Sequence, residues 1–315
     1  MAVPGASSTI RRLRRSAALL PRGERLTALA FVLPTLLYLL ALSVYPLFYA
    51  GWQSLNLSNL FNPTVTHFIG LRNYTDLFEE DFFWISVKTT LVWTIVVVSI
   101  ELVLGLALAL LLDRKLRGVG LLRSLIIIPV FISPIGMGLT WRFIYEPVGG
   151  LGNWLLGSVG LGESRWISST ETALPSIMIA DIWQWTPFVA LILLAGIQSI
   201  SPEILEAARL DRVRGPIYVF RIVLPLIWPV LLVVALIRLV DSIRTFDLVY
   251  IMTRGGPGSS TLVASVYDFT IFQAGNLGKM AALGFLLLLL INALVVVFLR
   301  ALSRQERRTR RAARV

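Results

Sequence analysis

Six runs of mostly apolar residues divide this chain, and they restrict its fold more than any other feature. Crossing a bilayer takes a helix of about 20 apolar residues. The runs at Thr27–Tyr49, Phe83–Leu112, Leu121–Tyr145, Pro175–Ser199, Leu226–Thr253 and Lys279–Leu302 each reach that length. With 56% hydrophobic and 15% charged residues, the chain lies outside the soluble range of about 45–50% and about 25%. Lipid offers no partners to backbone groups, so apolar runs of this length predict an all-α polytopic membrane protein. The third run is interrupted by Pro129, Pro134, Gly136 and Gly138, and Pro187 predicts a kink in the fourth. Such breaks need protein or water around them, which points to a third helix packed inside a bundle rather than facing lipid.

Lysine and arginine concentrate in the cytoplasmic loops of membrane proteins. Arg11, Arg12, Arg14, Arg15, Arg22 and Arg25 precede the first run, and Arg114, Lys115, Arg117 and Arg123 surround the second connection. Arg209, Arg212, Arg214 and Arg221 fill the fourth connection, and Arg304, Arg307, Arg308, Arg310, Arg311 and Arg314 form the tail. The odd connections hold chiefly Arg72, Arg165 and Arg254. This alternation predicts six transmembrane helices with both termini cytoplasmic. A basic segment covers residues 1–26, the helical domain 27–302, and a basic tail 303–315. The first apolar run exceeds the 7–15 residues or so of a signal peptide and reads as a retained span.

Several classes are excluded. The net charge is +11, but its clustering at the termini and alternate loops is not a nucleic-acid patch. With no cysteine, a disulfide framework or thiolate site is impossible. His67, the single histidine, falls in a polar connection and reads as a surface residue. No phosphate-binding loop occurs, since "GNLGKM" (Gly275–Met280) lacks its spacing and final hydroxyl. No hydrolase or metalloprotease signature occurs either.

One charged stretch interrupts the pattern: "PEILEAARLDRVRGPIYVFRIVLP", between the fourth and fifth runs. Ser201 is placed to cap a helix that begins at Pro202 with Glu203 in its first turn. Gly215-Pro216 signals a turn and a restart. A solvated or interfacial connection is one reading of this segment, and a docking element for a cytoplasmic partner is the other.

Within it, Glu206, Ala207, Ala208 and Asp211, then Ile222, Leu224 and Pro225, resemble the EAA motif of permease subunits of binding-protein-dependent ABC importers, more narrowly the maltose-type carbohydrate permeases. "YPLFYAGWQSL" (Tyr45–Leu55), "FIGLRNYTDLF" (Phe68–Phe78), "ELVLGLALALLLDRKLRG" (Glu101–Gly118) and "FDLVYIMTRGGPGSST" (Phe246–Thr261) are similar to further family segments in the same order. The motif's glycine and alanine are Arg212 and Val213 here, and Pro216 replaces an aromatic. Gly215 stands ready to take over the turn three residues later.

The resemblance implies a type I ABC importer permease fold in a bacterial plasma (inner) membrane and no enzymatic activity. It implies no cofactor in this chain, ATP and Mg being bound by separate ABC ATPase subunits. The coupling loop, 200–225, would meet the ATPase through Glu206, Ala207, Ala208, Leu210, Asp211, Arg212 and Gly215, with Leu205, Ala208 and Leu210 burying against it. A second related permease forming a heterodimer and an extracytoplasmic solute-binding protein are implied as well. So is a sugar substrate: a disaccharide, oligosaccharide or glycerol derivative. An ion-coupled secondary transporter of a polar solute is the alternative.

Ionisable residues inside spans are functional candidates: Glu101, Asp181, Arg238, Asp241, Arg244 and Asp247. Asp241, Arg244 and Asp247 recur every three residues and are expected to pair along one helix face, either as a packing ladder or as a pathway lining. Trp183 and Trp185 sit beside Asp181, and Tyr250 follows Asp247. Aromatic faces beside carboxylates suit sugars, so Asp181, Trp185, Asp241, Arg244 and Tyr250 are the candidate pathway residues. Trp52, Trp84, Trp141 and Trp166 read as interfacial belt residues. The glycine-rich loop at Gly255, Gly256 and Pro257 is a flexible linker or a contact for the binding protein.

Overall fold

A computed structural model describes residues 22–312, apart from 63, 65 and 115–117. Among the basic residues noted above, Arg11, Arg12, Arg14, Arg15, Lys115, Arg117 and Arg314 lie outside the described residues. Helices α1 (Arg22–Leu39) and α2 (Tyr45–Ser54) join through a π-helical turn at Leu40–Val44. A second such turn, Val219–Val223, joins α10 (Gly215–Tyr218) to α11 (Leu224–Ile243). Each lies just ahead of a proline, Pro46 or Pro225. Proline has no amide to donate and its ring crowds the carbonyl four residues back, so the helical ladder widens there.

After α2, two-residue strands β1 (Asn56–Leu57) and β2 (His67–Phe68) pair antiparallel, Asn56 opposite Phe68 and Leu57 opposite His67. They are the one sheet among the described residues of an otherwise helical chain. His67 is exposed, as its polar surroundings predicted. The short α3 (Arg72–Glu79) is tied to them through Asn73, whose buried amide donates to the carbonyls of Ser54 at 2.8 Å and Asn56 at 2.9 Å.

Helix α4 (Asp81–Leu112) has 32 residues, about 48 Å at 1.5 Å per residue, and overshoots a hydrocarbon core of about 30 Å. It packs along α8 (Ala173–Gln198), and Gly105 lets them meet: a Cβ there would lie 2.6 Å from a Val189 methyl. Between them come α5 (Val119–Ile126), a 3-10 turn (Ile128–Phe131), α6 (Pro134–Ile144) and α7 (Leu151–Ser158). The chain bends by 95° between Phe131 and Pro134. Gln184 of α8 donates to the freed carbonyl of Ile132 at 2.9 Å, so neighbouring protein satisfies the break as expected. The expected interior placement is corrected, however. No residue of α5 or the 3-10 turn is buried, because only α6 is held inward, where Gly138 seats against Ile251.

The fifth run also differs from expectation. The span over Gly215–Ile243 stops at Ile243, and a separate α12 (Asp247–Thr253) follows. Arg244 caps the first helix, Phe246 leaves helical geometry, and Asp247 supplies a carboxylate to the first turn of the second, where the helix dipole favours it. Helices α13 (Ala264–Gln273) and α14 (Leu277–Ala312) complete the chain, and α9 (Pro202–Leu210) links α8 to α10. Five helices are long and apolar enough to span a membrane, or six with the bent pair counted as one.

The buried side chains form two apolar lobes. One gathers Trp93, Val97, Ile177, Ala180, Leu248 and Val263, the other Ala109, Leu112, Val189, Leu193, Ile227 and Val234. Along α4, α8 and α11, the residues between the lobes are Glu101, Asp181 and Arg238.

Candidate functional site

Arg238 is the hub of that polar layer. Its Nε donates to Oε2 of Glu101 and its Nη2 to Oε1, both at 2.7 Å, and Nη2 also reaches Oδ2 of Asp181 at 3.0 Å. Glu101 is 0% exposed and Arg238 1%. The guanidinium carbon lies 4.6 Å from the ring centre of Trp185, a cation–π distance. Three helices thus converge on one planar cation through a two-pronged carboxylate contact, the strongest geometry such a pair can adopt.

Asp181 and Arg238 form the floor of an open cavity of about 310 Å³, with Gln184, Trp185, Asp241, Ser242, Arg244, Thr245 and Asp247 around it. Small-molecule sites commonly hold about 300–1,000 Å³ and combine apolar walls with a few placed polar groups. Four of the five candidate pathway residues, Asp181, Trp185, Asp241 and Arg244, line this one space. Tyr250 does not: it stacks on Phe246 at 5.1 Å and meets Phe269 edge-on at 5.2 Å. Trp183 turns instead to Trp141, at 5.8 Å, on an apolar surface.

The expected pairing of Arg244 with Asp241 and Asp247 is corrected. Asp241 faces Arg238 across 3.9 Å, because the helix ends at Ile243 and Arg244 no longer continues its face. Glu101 and Arg238 were visible as intramembrane charges, but their central position was not; Gln184 and Ser242 were missed. Gln184 follows Asp181 by three residues, so helical spacing already placed it on the same face.

Trp52 and Trp84 are 59% and 55% exposed, free to face lipid as a belt position requires. The belt reading does not hold for Trp141 and Trp166, which pack around Tyr145, Trp166 stacking on it at 4.6 Å. Trp166 also donates to Asn153 at 2.8 Å.

In the charged connection, α9 begins at Pro202 as expected. The Glu203 carboxyl is held below its ordinary value by its own backbone amide and by the Ser201 hydroxyl. Glu206, Ala207, Leu210, Asp211, Arg212 and Gly215 are all exposed, Leu210 by 83%. Ala208 is buried within the chain and is not free to meet a partner; Ile204 and Leu210 carry the accessible apolar surface. The turn has not moved to Gly215. Arg212 itself takes a left-handed conformation, φ 53°, and Gly215 adds a second at φ 61°. The amide of Val213 donates to the carbonyl of Ala208 at 3.0 Å, the bond that closes a helix whose next residue is left-handed.

The glycine-rich loop is no slack linker. The amide of Thr261 donates to the carbonyl of Gly255 at 3.2 Å, and its hydroxyl to the carbonyl of Gly256 at 2.8 Å. Gly255 is buried, while Gly256 and Pro257 are half-buried. At φ 90°, a Cβ on Gly255 would lie 2.9 Å from Leu262.

Residues 101–308 match the family described as binding-protein-dependent transport system inner membrane component. The trehalose/maltose transport system permease protein MalF of Thermococcus litoralis is 36% identical over 269 residues, 85% of this chain and 91% of that protein. The trehalose transport system permease protein SugA of Mycobacterium tuberculosis is 33% identical over 277 residues, 88% of this chain and 89% of its own. A chain of the bacterial alginate ABC transporter, solved with an alginate pentasaccharide-bound periplasmic protein, superposes with a TM-score of 0.76. It shares 22% identity and covers 88% of this chain and 93% of its own.

Proposed function

The chain belongs to the family of binding-protein-dependent inner-membrane transport components, and from that premise we propose that it is the permease subunit through which an ATP-driven importer passes a sugar. Members of the family are multi-pass, non-enzymatic membrane subunits. The observation that carries the reading is the polar cavity between two apolar lobes. Asp181 and Asp241 accept hydroxyl hydrogen bonds, Arg244 and Gln184 donate them, and Trp185 offers a flat face to sugar C–H groups. The relatives' trehalose and maltose systems support a disaccharide-sized solute.

The power comes from elsewhere. A separate pair of ABC ATPases binds ATP and Mg and grips α9 through Glu206, Asp211 and Arg212, with Ile204 and Leu210 as apolar anchors. This loop joins α8 to α11, which carry Asp181 and Trp185 on one side and Arg238 and Asp241 on the other. Force applied to α9 therefore reaches both walls of the cavity. The termini and the loop lie on the cytoplasmic side, a reading supported by the alternation of arginine. At the opposite face the loop around Gly256 and Pro257 meets the solute-loaded binding protein, and a second, related permease completes the pathway as a heterodimer. Ion coupling has less to draw on, since the central charge, Arg238, is already paired with Glu101 and Asp181.

The test is uptake of labelled trehalose and maltose into proteoliposomes holding the chain with its partner permease, ATPases and binding protein. Uptake that requires ATP and survives a protonophore is expected. Uptake that persists without the ATPase and collapses with the proton gradient would overturn the reading.

A further inference from the structure

A second cavity lies on the far side of Arg244 and Phe246. Those two residues line it together with Ser265, Asp268, Phe269 and Phe272 of α13 and Met280 and Leu287 of α14, around a space of about 420 Å³. Since Arg244 and Phe246 also line the polar cavity, the two spaces are neighbours separated by this pair.

Asp268 is the one carboxylate in this lining. Its Oδ1 is buried and has no hydrogen-bond partner. A buried acceptor left unmatched is costly to keep, so such a group in a native protein calls for an explanation, and a ligand that donates to it is one. Burial also pushes this carboxyl up to about 7. The wall beside it is aromatic. Phe269 meets Phe246 at 5.3 Å, Tyr250 at 5.2 Å and Phe272 at 5.9 Å.

The lining selects among ligand classes. A metal cation needs a cage of oxygen ligands, about six for the hard ions. Here only Asp268 and Ser265 carry side-chain oxygens, and the Ser265 hydroxyl is already given to the carbonyl of Thr245. Arg244 opposes a cation further, and Asp268 opposes an anion. What remains is a neutral ligand with hydroxyl donors for Asp268, oxygen acceptors for Arg244 and an apolar face for the phenylalanines.

We propose that this cavity is a second carbohydrate station beside the polar cavity, in which Asp268 accepts sugar hydroxyls, Phe269 and Phe272 carry the ring face, and Arg244 hands the ligand from one space to the other. The assignment rests on the carbohydrate-import reading above and adds a site to it.

The chain has no cysteine, so Ser265→Cys provides a single reporter thiol in this subunit of the assembled importer. Its modification by a water-soluble methanethiosulfonate is expected to slow about fivefold in saturating trehalose or maltose, a contrast set by site occupancy. Asp268→Leu is expected to lower the maximal uptake rate about tenfold, while KM, set by the binding protein, stays unchanged. The outcomes separate the two ideas. If the unsubstituted complex shows no ATP-driven uptake of either sugar, the carbohydrate reading falls and the station with it. If uptake is normal but the reporter thiol reacts equally with and without sugar, and Asp268→Leu transports at the original rate, only the station is overturned. Loss of the second permease from purified Asp268→Leu complexes would overturn it too, making Asp268 a subunit contact.

Discussion

The polar cavity and the α9 loop hold most of the charge of interest in this chain, and they hold it in opposite ways. In the cavity, Arg238 is 1% exposed and its donors are matched inside the same chain by Glu101 and Asp181. In the loop, Glu206, Asp211 and Arg212 are exposed, and none of them forms an ion pair among the described residues. The first arrangement is complete in one subunit and fixes the relative positions of α4, α8 and α11. The second is an exposed surface whose charges are left unmatched among the described residues, which is what the proposed docking of an ATPase requires. Under the proposed function the contrast divides the labour: the solute would be handled where charges are satisfied internally, and the motor engaged where they are not.

Breaking the cavity's pairing should have the largest effect. Removing one partner of a buried ion pair costs about 3–5 kcal/mol, because the other charge stays buried. Glu101→Leu should therefore lower thermal stability in detergent and membrane abundance together. Loss of a charged contact at an interface costs about 2–5 kcal/mol of binding. Glu206→Lys should accordingly abolish sugar uptake and ATPase retention on purification while leaving melting of the isolated chain unchanged. If Glu206→Lys destabilises the chain itself, the division between the two regions is wrong.

Asp268 makes the second cavity sensitive to pH. Its folded-state pKa of about 7 lies above the unfolded value near 3.9, so the native state binds the proton more tightly. The stability this confers is complete below about pH 4 and is lost as pH rises to 7. Arg244 is the other charged group lining its cavity. Because that cavity is partly open, a loss of roughly 2 kcal/mol is expected across the interval. Comparing the pH dependence of melting in the original chain and in Asp268→Asn isolates it, since the amide does not titrate. The smallest effect belongs to the turn. A non-glycine residue in the left-handed region costs roughly 1–2 kcal/mol, partly offset by the flexibility glycine restores to the unfolded chain. Arg212→Gly should therefore raise stability by less than about 1 kcal/mol, read as a small rise in melting temperature.

Much of the fold could be read in advance because lipid makes apolar length decisive. All six runs correspond to helical segments, including the break that Pro129 and Pro134 announced. The fifth run misled because Leu248, Val249, Ile251 and Met252 remain apolar after the helix stops at Ile243. Apolar length does not distinguish a span from a short helix that folds back into the core. The same ambiguity misplaced Tyr250, which lies beyond that break and packs on Phe246 and Phe269 instead of lining the polar cavity. Trp141 and Trp166 were misjudged because an amphipathic ring suits an interface and a half-buried core equally well. The identity of the hub was out of reach, since which helices meet at Arg238 is a tertiary fact. The left-handed Arg212 shows the reverse. The motif required a turn at that position, and helix closure through Ala208 and Val213 kept it there without a glycine.

If the cavity passes the sugar and the α9 loop receives the motor, hydrolysis and uptake come apart when only the cavity is altered. In proteoliposomes of the full importer, ATP hydrolysis and trehalose uptake are followed together for Asp241→Ala with Trp185→Ala. Binding-protein-stimulated hydrolysis is predicted to continue while uptake falls about a hundredfold, equivalent to about 2.7 kcal/mol. Uptake at the original rate with both side chains removed would mean that the sugar does not pass through this cavity.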